Sequence, residues 1–228
     1  MRARTVLLAA IGSVLAVGLS GTYWIASPPH LPEPLAQPLR PITESALTDA
    51  TYAKDLLPLE SGFRPQVYRS FCGPASIATV LRAYGVHGAD QTSIFPSWGR
   101  KMKAFYTGMT LSELDALARA NGLKTNVVYA DQLTVDSFRN RLKAALAHEG
   151  SFVLVNYDRR VLKQEGIGHI SPVADYDVHE DAFLILDEAA YRYPFTWVPA
   201  PLLYAAVHTR SGNQFRGVLF IESFHPIH

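Results

Sequence analysis

A single cysteine, Cys72, stands in 228 residues. That scarcity excludes an internal disulfide, a cysteine-rich zinc site and an iron–sulfur cluster. It also excludes a lipoprotein anchor, because no cysteine follows the apolar N-terminal stretch. An excess of charge of one sign is missing as well. Lys and Arg number 21 against 20 Asp and Glu, a formal charge of +1, so electrostatics offer no case for a nucleic-acid partner. No internal repeat is visible. Of the histidines, His30, His87, His148, His179, His208, His225 and His228 show no metal-ligand spacing with a second His or Cys, and no protein-held metal is expected. Apolar residues make up 48% of the chain and charged ones 18%, which suffices for a well-filled core.

Arg2 and Arg4 precede an uncharged run over residues 6–26, at about 21 residues long enough to span a bilayer. Tyr23 and Trp24 fall where interfacial aromatics sit. The run reads as a signal anchor or a cleaved signal peptide; Pro28 and Pro29 crowd the cleavage position and favour the anchor. Both place the domain outside the cytoplasm, in a periplasm and held to an inner membrane if uncleaved. Residues 27–42 hold Pro28, Pro29, Pro32, Pro34, Pro38 and Pro41 and read as an extended spacer. Residues 43–228, about 185, suit one domain.

Within that domain, residues 43–64 read as a short helix with its lead-in, and residues 85–110 as an irregular loop carrying Phe95, Trp98, Phe105 and Tyr106. Thr110-Leu111-Ser112-Glu113 opens a helix to about Asn121, with Gly122 as its cap. A strand is expected at 126–129, a helix at 135–148, strands at 151–157, 169–176 and 182–187, a helix at 199–207 and a last strand at 216–222. Helices first and strands later indicate an α+β domain with an antiparallel sheet.

Cys72 opens an apolar run in which Ile77, Val80, Leu81 and Tyr84 recur at helical steps. It therefore sits at a helix N-terminus, with Pro74 where proline is tolerated, and the positive end of the helix is expected to lower the thiol pKa. Gln66, six residues upstream, is placed to donate to an oxyanion. A small buried hydrophobe at a helix start is the commoner account of a lone cysteine. Downstream, Gly168-His169 enters one strand and Ile185-Leu186-Asp187 leaves the next. A hairpin centred near Val178 sets His169 opposite Asp187, on the same face with Cβ atoms about 5 Å apart. A carboxylate there can fix the imidazole tautomer and leave the other ring nitrogen for the sulfur. Cysteine, then histidine, then aspartate is the order of a papain-like triad.

Residues 156–199 closely resemble the catalytic domain of phytochelatin synthases, through Tyr157, Arg159, Val161, Lys163-Gln164, Gly168-His169, Ser171-Pro172, Ile185-Leu186-Asp187, Tyr193-Pro194 and Trp197-Val198-Pro199. Gln66, Cys72-Gly73 and Ala75-Ser76 match the family's nucleophile motif, and the resemblance covers about residues 60–224. It implies a papain-like acyl transferase acting on glutathione. Cys72 would be the nucleophile, His169 the acid–base group, Asp187 its orienter and Gln66 the oxyanion donor. Arg159, Tyr193 and Arg216 would hold substrate carboxylates. No tightly bound cofactor is implied; cadmium or zinc would enter as glutathione thiolate complexes or as activators, and a homodimer is left open. Ala190 stands where many members carry arginine three residues after the triad aspartate, and the chain lacks the cysteine-rich C-terminal extension of plant-type members. Both departures point to hydrolysis of glutathione over polymerisation. A peptidase trimming a peptide leader and a non-catalytic membrane-anchored binding domain are the rival readings.

Overall fold

The computed structural model describes residues 19–24, 26, 34–41 and 51–226. Most of the apolar run at 6–26, Pro28, Pro29, Pro32, His30, His228 and the lead-in at 42–50 lie outside the described residues. Among those described, no helix is long and apolar enough to cross a membrane.

Helices and an antiparallel sheet share the domain, as expected for an α+β chain. In order come β1 (Arg40–Pro41), α1 (Leu56–Gly62), α2 (Cys72–Ala83), α3 (Trp98–Thr107), α4 (Leu111–Arg119), β2 (Leu123–Tyr129), α5 (Val135–Leu146), β3 (Phe152–Asp158), β4 (Gly168–Asp177), β5 (Ala182–Ile185), β6 (Thr196–Pro199), α6 (Ala200–Val207), β7 (Arg210–Ser211), β8 (Gln214–Phe215) and β9 (Gly217–Phe224). Seven strands form one sheet in the order β1-β6-β5-β4-β3-β9-β2, every neighbouring pair antiparallel. Side chains alternate across it. Leu154, Ile170, Leu184 and Leu219 pack with α1, α2 and α4 on one face, while Val153, Val155, Val173 and Phe183 pack with α5 and α6 on the other. The sheet is thus a buried middle layer, and its strand ends are where polar side chains gather.

The capping box at Thr110 and Glu113 forms as its sequence requires. That helix ends at Arg119 with Ala120 as its cap, two residues sooner than expected, and Gly122, at φ +82°, turns the chain beyond the cap. One expectation fails outright. Residues 85–110 are not all loop, because Ser97 caps α3, its side chain accepting from the Arg100 amide at 3.4 Å. Ala104 is the one residue of α3 that is buried, so almost no apolar stripe marked it. Within the proline-rich spacer, residues 34–41 lie against the domain. Arg40 and Pro41 pair with Trp197 and Thr196 at the sheet edge, Leu35 donates its amide to the Arg192 carbonyl at 2.6 Å, and Gln37 accepts from Gln164 Nε2 at 2.8 Å.

Gly217 begins β9 between β2 and β3, opposite Tyr129 and Asn156. A Cβ there would stand 2.3 Å from the Val128 carbonyl oxygen and 2.9 Å from Tyr129 Cα, both backbone. Gly217→Ala is therefore expected to destabilise the domain by about 3 kcal/mol, read as a lower denaturant midpoint at unchanged slope. An unchanged midpoint would show that β2 and β9 can part at no cost.

Candidate active site

Cys72 is the first residue of α2 and is half-buried. Its sulfur lies against the backbone of Ile170, the residue after His169, and of Gly73. Ser76, one turn on, donates to the Cys72 carbonyl at 2.8 Å and lies 3.3 Å from the Ile170 carbonyl, pinning the helix start to β4. The thiol is not activated as the helix terminus alone would have it. Burial pushes it up to about 11, and the Ile170 amide, the Arg159 charge and the Gly73 amide offset only part of that. Removing the anion from water outweighs the partial charge of one helix end.

His169 meets Asp187 by a route other than the expected one. The β4–β5 turn is centred between His179 and Glu180, with Asp177 pairing Ala182. Continued unbroken, that register would put His169 and Asp187 on opposite faces. A bulge rescues the pair: Asp175 pairs Leu184 but Val173 pairs Ile185, so Ala174 is an extra residue and parity returns. β5 has ended by then, and Leu186 donates to the Pro172 carbonyl at 3.0 Å, which sets Asp187 across from Ser171 and diagonal to His169. Diagonal neighbours are within reach of longer side chains, and Asp187 Oδ1 lies 2.9 Å from His169 Nε2. The ring N–H is not aligned to complete a hydrogen bond there. This geometry leaves Nδ1 as the other ring nitrogen.

The same Oδ1 accepts from Arg159 Nη2 at 2.6 Å and from the Ala189 amide at 2.8 Å. Burial alone would raise the Asp187 carboxyl, but the Arg159 guanidinium and His169 hold it below the usual carboxylate range. Burial and then the Arg159 charge lower His169 to about 4, against the pull of Asp187. These shifts favour a thiol and a neutral imidazole beside the Arg159–Asp187 ion pair.

Other residues singled out from the sequence lie at the site but are engaged differently. Arg159 is no free carboxylate clamp: both terminal nitrogens are committed, Nη2 to Asp187 and Nη1 to Gln164 Oε1 at 2.8 Å, over the Tyr193 ring. Tyr193 is buried, and its hydroxyl accepts from the Glu165 amide at 2.8 Å. Arg216 donates to Asn156 Oδ1 at 2.9 Å and Thr209 Oγ1 at 3.1 Å, and lies against Gly168, where a Cβ would come within 2.7 Å of Nη1. Gln66 Nε2 faces the carbonyls of Tyr68 and Arg69, each at 3.0 Å, and the Tyr191 hydroxyl at 3.2 Å. Its amide shapes the loop before Cys72 rather than waiting free. Ala190 is half-buried beside them.

Sequence reasoning missed Gln164 as the relay between Arg159 and Gln37, and Arg192, whose buried Nε has no partner and whose charge also bears on His169. It missed Glu188 too, a fully buried carboxyl directly after Asp187. Among the described residues no cluster of His, Cys, Asp and Glu side chains is placed to hold a metal ion.

Comparison with known proteins meets this geometry. The phytochelatin synthase family matches residues 29–218. The chain is 32% identical over 175 residues to glutathione gamma-glutamylcysteinyltransferase 3 of Lotus japonicus, covering 72% of this chain and 36% of that protein. To glutathione gamma-glutamylcysteinyltransferase 2 of Arabidopsis thaliana it is 31% identical over 188 residues, 73% and 39% of the two chains. A Schizosaccharomyces pombe glutathione gamma-glutamylcysteinyltransferase is 33% identical over 120 residues, 52% and 29%. The aligned part is thus between 29% and 39% of the length of these relatives. With the family match covering most of its length, the chain belongs to the phytochelatin synthase family.

Proposed function

We propose that this chain removes glycine from glutathione through a thioester on Cys72, acting mainly as a hydrolase with weak transfer to a second glutathione. The observation that carries the reading is the meeting of Cys72, at the start of α2, with the β4 backbone at Ile170 beside the buried His169–Asp187 pair. The relatives' names supply the substrate class: each is a glutathione gamma-glutamylcysteinyltransferase.

On this reading the Cys72 sulfur attacks the carbonyl carbon of the cysteinyl–glycine amide while its proton passes to His169 Nδ1. With the thiol near 11 and the imidazole near 4, a preformed ion pair is unfavourable, so proton transfer accompanies attack. The oxyanion forms at the N-terminus of α2, where the first amides lack helical partners, and a turned Gln66 amide is the second donor. His169 then gives its proton to the departing nitrogen and glycine leaves. Water attacks the thioester, His169 takes its proton, and γ-glutamylcysteine departs as the thiol is restored. Asp187 orients the ring, as in a papain-like triad. Because Arg159 and Arg216 are committed to protein partners, whereas Arg192 has only the exposed Glu165 carboxylate at 4.0 Å, Arg192 is the cation we assign to a substrate carboxylate. We also read the chain as extracytoplasmic and held at the inner membrane, on the strength of the flanking arginines and the apolar run; fractionation that finds the full chain soluble in the cytoplasm would overturn this.

Ala190 carries the hydrolytic bias. Half-buried beside Asp187, it offers no cation to hold a second glutathione over the thioester. Incubation with glutathione should yield glycine and γ-glutamylcysteine, with longer oligomers minor even when cadmium or zinc is present as the glutathione thiolate. Ala190→Arg should raise the oligomer fraction while total glycine release stays within about twofold. Oligomers dominating with the unchanged chain would defeat the inference from Ala190. Cleavage of longer peptides with glutathione untouched would mark a peptidase.

A further inference from the structure

Glu188 is a buried carboxyl that the reaction above does not use, and it stands where three site-bearing segments meet. Its amide donates to Ser171 Oγ on β4 at 3.3 Å, and its carbonyl accepts from the Gln66 amide at 2.9 Å, before Cys72. Its side chain faces α2, where Cys72, Ser76 and Thr79 recur at four- and three-residue steps along one side of the helix. Thr79 donates to Glu188 Oε1 at 3.3 Å, and Ser76 is also within hydrogen-bonding reach. Oε2 is buried with no hydrogen-bond partner.

We propose that Glu188 is a positioning residue that works as a neutral, proton-carrying strut between the Cys72 helix and the Asp187 loop, and that its ionisation opposes formation of the Cys72 thiolate. The inference rests on the reading of Cys72 as nucleophile. An unpartnered buried carboxylate oxygen is costly. The charged groups around it do not offset that cost. Asp187, one residue away, is ionised by Arg159, and Arg82 on α2 spends Nε on the Gly62 carbonyl and Nη1 on Ala89 at 2.5 Å; the buried Arg82 Nη2 makes no hydrogen bond to Glu188, and the pull of its charge is smaller than the effects of burial and Asp187. Burial, and then the Asp187 charge, accordingly hold the Glu188 carboxyl well above its ordinary value. Protonated, it adds no charge behind the nucleophile; ionised, it works against a Cys72 thiolate.

Cys72 is the only cysteine, so alkylation of the full chain by iodoacetamide reads this one thiol whether or not glutathione is the substrate. In the wild type the rate should rise with pH in two coupled steps, because ionisation of Glu188 holds back the thiol. Glu188→Gln keeps the shape and the neutral hydrogen bonds, so its profile should be single-step and lie about threefold or more above wild type at alkaline pH. Glycine release at neutral pH should stay within about twofold, with the alkaline limb of kcat/KM moved upward in pH. Stability gives an independent sign. A carboxyl raised on folding stabilises fully below its unfolded value of 4.5 and less as pH rises toward the folded one; Glu188→Gln should lose that slope. Superimposable alkylation profiles in folded wild type and Glu188→Gln would overturn the proposal. If the variant does not fold, a wild-type profile fitted by one ionisation does so. Shifted alkylation without glutathione turnover would leave Glu188 in place and remove the substrate.

Discussion

Cys72→Ala is expected to abolish glycine release from glutathione, a loss of about a million-fold, as when the nucleophile of a serine protease triad is removed. No other side chain in the sequence can form the thioester, so residual turnover should not exceed the solvent reaction by more than binding and oxyanion stabilisation supply. The fold should survive. Cys72 is half-buried at a helix start, and the substitution deletes one sulfur without stranding a charge, a change of about 1 kcal/mol. Mass analysis of products, alongside a thermal midpoint, makes the comparison. A folded Cys72→Ala chain that still releases glycine at a few per cent of the wild-type rate would mean that the nucleophile lies elsewhere. Asp187→Asn should retain part of the activity, because nucleophile and base both remain.

Arg159→Met is expected to cost about 3–5 kcal/mol of stability, the usual price of removing one partner from a buried ion pair. Arg159 and Asp187 meet at 2.6 Å with side chains 4% and 3% exposed, so neither solvent nor salt can take the missing charge's place. In a domain of this size the loss amounts to about 10 °C or more in the thermal midpoint. The pH dependence should change with it. Burial and then Arg159 hold His169 near 4; without that positive charge the imidazole binds a proton more readily. With the neutral ring as the proposed base, activity fails as pH drops through its pKa, so the acid limb of kcat/KM should move to higher pH. Wild-type stability follows the same linkage: a histidine lowered on folding costs stability as pH falls from 6.5 toward 4. Exchanging both partners, Arg159→Met with Asp187→Leu, should recover most of the stability and none of the activity. An acid limb that stays put in a folded Arg159→Met chain would show that Arg159 does not act on His169.

How far these groups were legible depends on the distance over which they interact. The start of α2 at Cys72 was readable because Ile77, Val80 and Leu81 all turn one way into a core. The capping box at Thr110 was readable because both partners lie within four residues. His169 and Asp187 were paired through a hairpin register that is not the one formed; parity survived because of the bulge at Ala174, which no local pattern announces. Arg159 lies 28 residues from Asp187, and nothing local distinguishes an arginine that grips a substrate from one that neutralises a buried carboxylate. The thiol shift was misjudged for a related reason. A helix terminus can be seen in sequence, whereas the depth at which the sulfur sits is set by β4. α3 escaped notice because its exposed Trp98 and basic residues resemble a loop, and burial of Ala104 alone is too faint a stripe.

The docking of β1 has a mechanical side. The strand is two residues long and lies at the margin of the sheet, with Leu35 and Gln37 just before it. Tension on the N-terminal side of the chain would load this two-residue strand and its few hydrogen bonds in the manner of a peel rather than a shear. The Gln37–Gln164 bond lies next to it, and Gln164 is the second partner of Arg159. The margin of the sheet is thus mechanically linked to the cation behind Asp187.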